Sequence, residues 1–423
     1  MRLRSKERFV SKYSLASLVR HSLTGHRHWP RVLRQAEPRR SYDVVIVGGG
    51  GHGLATAYFL AKKHGIRNVA VLERTAIGHG NSGRNTQVTR SDYFHLPSSR
   101  FYEHSLRLYE GLSQELNFNV MLSQRGKINV AHDPHELEIL RRATNACRMN
   151  GVDGEMVSTE DLYRLMPLLN RHCRFPIVGG SVQWRGGISR HDAVVWAFAR
   201  AATQLGVDII QGCEVTDFLR QGSAVAGVET TLGPIFAPRV CLAVAGHSTQ
   251  LARLAGVELP LTSMSLQAMV SEPVKPLLNH VVLSSKVHVY LSQSDRGEVV
   301  IGGGADIYNS YAQRGGLPVM EANLQATVEL FPAFSRLKLM RQWAGTVDIS
   351  PDTSPIMGLT PVDGLYVNCG WGTGGYKAIP AGGDTMAHTL ATGRPHPLID
   401  RFDLGRFAAG RLIDEGAAAG VAH

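Results

Sequence analysis

A run of glycines, Gly48-Gly49-Gly50-Gly51-His52-Gly53, directly follows the short β-branched segment Tyr42-Asp43-Val44-Val45-Ile46-Val47. The segment reads as a buried parallel strand. A helical pattern follows from Leu54 to Lys63 and closes near Gly65, and Asn68 to Glu73 reads as a second strand. Gly48, Gly50 and Gly53 satisfy G-x-G-x-x-G. In that pattern the first glycine permits the tight turn, the second lets backbone approach a pyrophosphate, and the third lets helix pack on strand. The N–H groups at the start of the helix then stabilise the phosphate charge. Glu73 ends the second strand, where an acid bonds ribose hydroxyls. The unit predicts a dinucleotide site. The acid disfavours NADP, whose 2′-phosphate it would repel, but does not separate NAD from FAD.

Downstream, residues 135–150 and 192–205 have helical spacing, and Val207-Asp208-Ile209-Ile210 reads as a strand. Residues 239–245 form an apolar strand stopping at Gly246-His247-Ser248. Residues 281–304 alternate in strand fashion, with Val287, Val289 and Leu291 against His288, Tyr290 and Ser292. Residues 319–331 are helical again. The opening theme returns at the end: strand Leu365 to Cys369, glycine turn Gly370 to Gly375, helix through Met386 and Leu390. A glycine-rich nucleotide unit split between the two ends of a chain is typical of flavoproteins.

The length of 423 residues suggests two or so domains. No run of 18 uncharged apolar residues occurs, so no membrane span is expected. The five cysteines (147, 173, 213, 241, 369) are scattered without a C-x-x-C pair. That argues against a disulfide framework or a metal site, and a reducing cytosol is the simplest compartment. Residues 1–40 hold eleven Lys or Arg against Glu7 and Glu37, which leaves +9 of the net +10 in this arm. Its first reading is an arm that docks on a partner subunit through Tyr13, Leu15, Leu18, Val19 and Trp29. A mitochondrial presequence, a disordered extension and, least, a nucleic-acid tail are the alternatives.

Six segments carry a family resemblance over nearly the whole body: Ser41 to Thr56, Gly80 to Arg90, Gly187 to Arg200, Gly206 to Phe218, His288-Val289-Tyr290 and Asn368 to Lys377. They are similar to the D-amino-acid oxidase superfamily of FAD enzymes. Within it the chain most closely resembles the beta-subunit family of heterotetrameric sarcosine oxidases. The resemblance implies an α/β fold: a discontinuous Rossmann-like FAD-binding domain (residues 41–100, 180–262 and 343–423) with an inserted β-rich substrate and interface domain (101–179 and 263–342). It also implies a complex with alpha, gamma and delta subunits. In such a complex non-covalent FAD oxidises sarcosine, and electrons pass to an FMN on a histidine near the alpha–beta interface and on to O2, giving peroxide. The one-carbon unit goes to a folate.

Residue by residue, Gly51, His52 and Glu73 match FAD contacts, as do Asn81, Arg84, Thr86, Val88, Val215, Gly372, Gly375 and Lys377. His191, in Arg190-His191-Asp192-Ala193, matches the FMN-linking histidine, and Ala193 replaces a second family histidine. Ala378 and Ala381 replace two family glycines expected beside the flavin ring. Single-chain sarcosine oxidases attach FAD to a cysteine in the region corresponding to Trp343 to Gly358, which here contains none.

Lys377 is the candidate to position a substrate carboxylate and to stabilise a reduced flavin anion. The alternative is a solvated lysine at a helix start, where it would oppose the helix dipole. His288 is the candidate to bond the carboxylate or tune the amine, against the reading of a surface or satisfied core histidine. Asp352 and Pro355 read as a turn that shapes the flavin pocket. Two rival functions stand beside the main one: a stand-alone amine or amino-acid oxidoreductase of the same superfamily acting on glycine, proline or dimethylglycine, and an assembly and electron-transfer subunit inactive alone.

Overall fold

A computed structural model describes residues 15–25, 27, 32–34 and 36–413. The chain divides into a short N-terminal unit, Met1–Arg34, and a main unit, Gln35–His423. In the first, Leu15–Leu23 is a helix with Arg20 and His21 in its last turn, where positive charge suits the helix dipole. None of its residues is buried, and Leu15, Leu18 and Leu23 are largely exposed. Tyr13 and Trp29 lie outside the described residues. Arg39, counted in the basic arm by sequence, belongs to the main unit, where its guanidinium pairs with Asp208 at 2.7 Å.

In the main unit the glycine-loop strand, Val44–Val47, is central in a six-stranded sheet. The order is Ile356–Leu359, Leu365–Cys369, Val240–Leu242, Val44–Val47, Val69–Glu73, Asp208–Gln211. All neighbours are parallel except the first pair. Burial on both faces explains why these strands read as continuous apolar runs: Val44, Val45, Ile46, Val69, Ala70 and Val71 are all wholly buried. The helix Gly51–Lys63 starts inside the glycine run, three residues before the apolar pattern indicates. It packs closely on the helix Ile379–Thr392, where a Cβ on Gly383 would lie 2.4 Å from that of Ala55. Small residues there set the helix–helix spacing.

The second layer is an eight-stranded mixed sheet. Its longest pair is Thr262–Pro273 against Leu339–Ile349, and Lys127–Ala131 pairs in parallel with Val281–Ser284. Two strands at the boundaries expected from sequence, Gly179–Gln183 and Leu339–Ile349, belong to this sheet. Ile128, Val182, Met269, Val282, Leu291 and Leu330 join its core beneath the helix Leu317–Leu330. Among the described residues no helix is long and apolar enough to cross a membrane.

One sequence expectation fails here. Residues 281–304 are not one alternating segment but three strands: Val281–Ser284, Val289–Gln293 and Glu298–Ala305. His288 ends the turn between the first two with a φ of 54°. Strand alternation with Val287 and Val289 therefore does not set its direction.

Candidate active site

The glycines of the loop are required for different reasons. Gly48 has a φ of +112°, and a Cβ there would lie 2.3 Å from the Ala243 carbonyl oxygen, just past the neighbouring strand Val240–Leu242. A Cβ on Gly53 would lie 2.0 Å from the Gly48 carbonyl oxygen, and one on Gly51 2.3 Å from Ile379 Cδ1. These three are demanded by the protein's own packing. Gly50 is not: its backbone is extended, and its Cβ would meet only Ser82 Oγ at 3.2 Å. The space above Gly50 opens into a cavity at the N-terminus of the helix, where free N–H groups attract phosphate. Glu73 is tied to the same loop, accepting from Gly49 N at 3.0 Å and from Thr75 N at 2.9 Å.

The cavity measures about 810 Å³. Gly48, Gly50, Gly51, His52, Glu73, Asn81, Arg84, Thr86, Val88, Val215, Gly372, Gly375 and Lys377 all line it. Gly53 packs behind it, against Gly48 and Ile46. The Asn81–Val88 segment is pinned from both ends: Asn81 Nδ2 donates to the Thr346 carbonyl at 2.6 Å, and Thr86 Oγ1 donates to Tyr290 Oη at 3.2 Å. Three buried polar atoms of lining residues have no partner among the described residues: His52 Nδ1, Thr346 Oγ1 and Asn368 Nδ2. Buried polar groups ordinarily find partners, so these invite a polar ligand. An extended cavity with a phosphate cradle, a ribose-side carboxylate and unpaired polar groups fits FAD.

At the other end the chain turns through Gly370 to Gly375. Asp348, buried on the strand Leu339–Ile349, accepts from Gly370 N at 2.5 Å, and its carbonyl accepts from Gly372 N at 2.9 Å. Burial pushes its carboxyl up to about 6, against the backbone bond that lowers it. His52 Nε2 donates to the Gly375 carbonyl at 2.8 Å, and the ring stacks on Trp371 at 4.4 Å. Burial pulls its pKa down to about 4, so the imidazole is neutral near pH 7. His52 thus pins the glycine loop to the C-terminal turn. Ala378 and Ala381, expected to crowd the flavin ring, are buried away from the cavity; the lining residue is Ile379. They lie by the helix Leu96–Glu115, where Ser105 Oγ donates to the Lys377 carbonyl at 2.7 Å.

Lys377 is buried, and its ammonium donates to the Thr373 carbonyl at 2.9 Å. It shares the cavity wall with Arg90 and Lys127, neither singled out by the sequence. Both bond one carboxylate, Asp92, at 2.6 and 2.9 Å. Burial alone would raise the Asp92 carboxyl, but Arg90 and Lys127 hold it well below the usual range. Three basic side chains thus face one acid. Arg90 closes a segment already marked by glycine and asparagine; Lys127 sits on a strand whose apolar alternation is the only local signal. Tyr290, not His288, lines the cavity; a Cβ on Gly302 would lie 2.4 Å from its hydroxyl, so that glycine makes room for the ring.

Arg190 and His191 lie outside this cavity. His191 begins the helix His191–Gln204; its Nδ1 is buried without a partner among the described residues, and burial lowers its pKa. Arg190 is clamped to Asp192 at 2.5 Å. The two regions meet through Tyr376, a lining residue whose hydroxyl donates to the Ser189 carbonyl at 2.8 Å. Asp352 faces away from the cavity and forms a buried two-point ion pair with Arg406 at 2.8 and 2.9 Å. Among the described residues no group of three or more His, Cys, Asp or Glu is placed to hold a metal.

The FAD dependent oxidoreductase (DAO) family matches residues 43–389. The sarcosine oxidase subunit beta of Arthrobacter sp is 52% identical over 389 residues, covering 92% of this chain and 96% of that protein. The sarcosine oxidase subunit beta of Rhodobacter capsulatus is 48% identical over 415 residues, covering 98% and 100%. The L-proline dehydrogenase of P. horikoshii superposes with a TM-score of 0.84 at 26% identity, covering 89% and 100%. By these likenesses and by its dinucleotide cavity, the chain belongs to the FAD dependent oxidoreductase family and, within it, to the sarcosine oxidase beta subunits.

Proposed function

We propose that the chain is the beta subunit of a heterotetrameric sarcosine oxidase, which binds FAD non-covalently and oxidises the N-methyl amino acid sarcosine to glycine. The observation that carries a carboxylate substrate is the cluster of Arg90, Lys127 and Lys377 lining one cavity, with Asp92 paired to Arg90 and Lys127 but not to Lys377. An Arg guanidinium with a neighbouring lysine grips a carboxylate in a fixed orientation. Bound FAD supplies the two-electron oxidation of the carbon next to the amine nitrogen.

The chain's own part is to bind, orient and exclude water. Gly48 to Gly53 and the helix start hold the pyrophosphate, and Glu73 the ribose. Val215 and Val88 border the cofactor, while Gly372, Gly375 and Lys377 lie along the ring end. Asn81, Arg84 and Thr86 brace the loop between the two sheets, and His288, in the turn before Tyr290, supports that hairpin. Burial of Lys377, with Tyr290 half-buried in the same cavity, limits water at the reacting end, which strengthens every charge interaction there.

In the same reading His191 carries a covalently attached FMN, with Arg190 beside it, at a second site facing the alpha subunit. His191 lies off the FAD cavity with a ring nitrogen that has no partner among the described residues, and burial lowers its pKa, which favours the neutral imidazole that a nucleophile toward the flavin methyl group must be. Electrons then pass from FAD to FMN and to O2, giving peroxide, and the one-carbon unit goes to tetrahydrofolate on a partner. The partners are alpha, gamma and delta subunits, and the compartment is cytoplasmic. Neither nucleic acid nor membrane has a part in this reading.

The test is a substrate panel scored by flavin reduction without oxygen. Sarcosine should reduce the FAD, whereas dimethylamine and sarcosine methyl ester should do so at least ~100-fold more slowly, the loss expected when a charged hydrogen-bonding partner is removed. Equal reduction by the ester would overturn carboxylate recognition. Mass spectrometry of the peptide carrying His191, from the assembled complex, tests the second flavin. An unmodified peptide would favour a single-flavin amine oxidoreductase.

A further inference from the structure

Lys377 has a peculiarity that carboxylate binding alone does not explain. Its ammonium is buried, its bond goes to the neutral Thr373 carbonyl, and among the described residues no carboxylate lies within ion-pairing distance. The charged groups that face it are Arg90 and Asp92 from the segment after Val88–Thr89, and Lys127 from the strand Lys127–Ala131. Asp92 is already shared between Arg90 and Lys127. On the remaining sides, Tyr102 and Tyr109 of the helix Leu96–Glu115 donate to the carbonyls of Gly374 and Tyr376, while Asp348 is engaged with Gly370 N.

A third cation in such a place has no counter-ion and little water. Isolated buried charges neutralise instead of persisting. Burial first, then Arg90 and Lys127, draws the Lys377 pKa well below the ordinary lysine range, and Asp92 only partly opposes this. A carboxylate entering beside Lys377 supplies the missing negative charge and reverses the balance.

Resting on the carboxylate-substrate reading, we infer that the cavity takes up a carboxylate together with one proton, which is held on Lys377 Nζ. With a zwitterionic N-methyl amino acid the proton is the substrate's own. The N–H bond of its secondary ammonium breaks, an N–H bond forms on Nζ, and no electrons change hands. The amine is left as the free base, with the nitrogen lone pair that oxidation of the neighbouring carbon requires. Lys377 then both orients the carboxylate and accepts the amine proton.

The test uses the FAD-loaded protein and methoxyacetate, the ether counterpart of sarcosine, which keeps the carboxylate but has no ionisable nitrogen. Its proton must come from solvent. Calorimetric titration in two buffers of different ionisation enthalpy counts the protons. Uptake should rise to about one proton per site as pH climbs past the depressed lysine pKa, and vanish near the ordinary value of about 10.4. Lys377→Arg, a cation at every pH, should bind methoxyacetate with no uptake. Binding without uptake by the unaltered protein anywhere between about pH 6 and 10 would overturn the inference. So would uptake that persists in Lys377→Arg, since the proton would then sit elsewhere. Failure of methoxyacetate to bind at all would instead refute the carboxylate reading on which the inference rests. The unaltered protein is decisive even if the variant does not fold.

Discussion

Gly50 and Gly53 are both motif glycines, yet the structure predicts opposite consequences for replacing them. A Cβ at position 53 would lie 2.0 Å from the Gly48 carbonyl oxygen, a backbone atom that cannot swing away. The turn would have to open by about an ångström, and overpacking of that kind costs about 1–3 kcal/mol or more. At position 50 the obstacle is a serine hydroxyl at 3.2 Å, and the backbone (φ −81°, ψ −179°) suits any residue. The small clash is offset by the lower entropy of the unfolded chain, about 0.4–1 kcal/mol for glycine to alanine. Gly50→Ala should therefore leave the flavin-free protein's Tm nearly unchanged, while Gly53→Ala lowers it. FAD binding should respond to Gly50→Ala, because the methyl group occupies the place of closest approach to the pyrophosphate. Losing two charge-assisted bonds of about 1.5 kcal/mol each weakens FAD by about 100-fold, and Gly50→Val should do more. Trp371, in the cavity wall against His52, supplies a fluorescence quench for the FAD titration. Unchanged FAD affinity in Gly50→Val would refute the phosphate loop. A Tm loss in Gly50→Ala equal to that in Gly53→Ala would show that protein, not ligand, fills the space above Gly50.

Three other expectations follow from single residues or segments. Glu73→Ala removes the partner of Gly49 N and the ribose acceptor, so FAD should bind about 10–100-fold more weakly; equal affinity by the same titration would remove Glu73 from the site. Asp348 has a folded pKa of about 6 against about 3.9 unfolded, so folding takes up a proton and this group's contribution to stability falls as pH rises from about 4 to 6. Asp348→Asn should be more stable than the unaltered flavin-free protein by up to about 3 kcal/mol above pH 7, the advantage fading below about pH 4; denaturant unfolding at the two pH values checks this, and a pH-independent difference contradicts it. Deleting residues 2–34 should leave FAD content and the main unit's Tm unchanged but impair assembly with partner subunits, read by gel filtration of the co-expressed complex; normal assembly would refute a docking arm.

The parts legible in the sequence are those whose cause is local. The strand, glycine turn, helix and Glu73 announce themselves because each residue's role depends on neighbours a few positions away. Most of the residues matched by resemblance line the cavity, since they stand in the glycine turns, in the loop after Glu73 and at strand ends beside the six-stranded sheet. Alternation does not place His288, because the segment passes through a turn that only its φ of 54° reveals. Lys127 has no local signal because its partner, Asp92, comes from a different stretch of chain, and Asp348 has none because it caps a turn 22 residues later. The two alanines in the place of family glycines fall against the helix Leu96–Glu115, an element the apolar pattern did not disclose.

The central claim is that this chain holds FAD and uses it to oxidise sarcosine. The direct measurement is anaerobic titration of the purified, FAD-loaded protein with sarcosine, followed in the flavin absorbance. The account predicts bleaching of the oxidised flavin band with one FAD reduced per sarcosine consumed, and full recovery of the FAD in the supernatant after acid precipitation. Flavin that stays oxidised in saturating sarcosine, in a protein whose FAD content is complete, would contradict it.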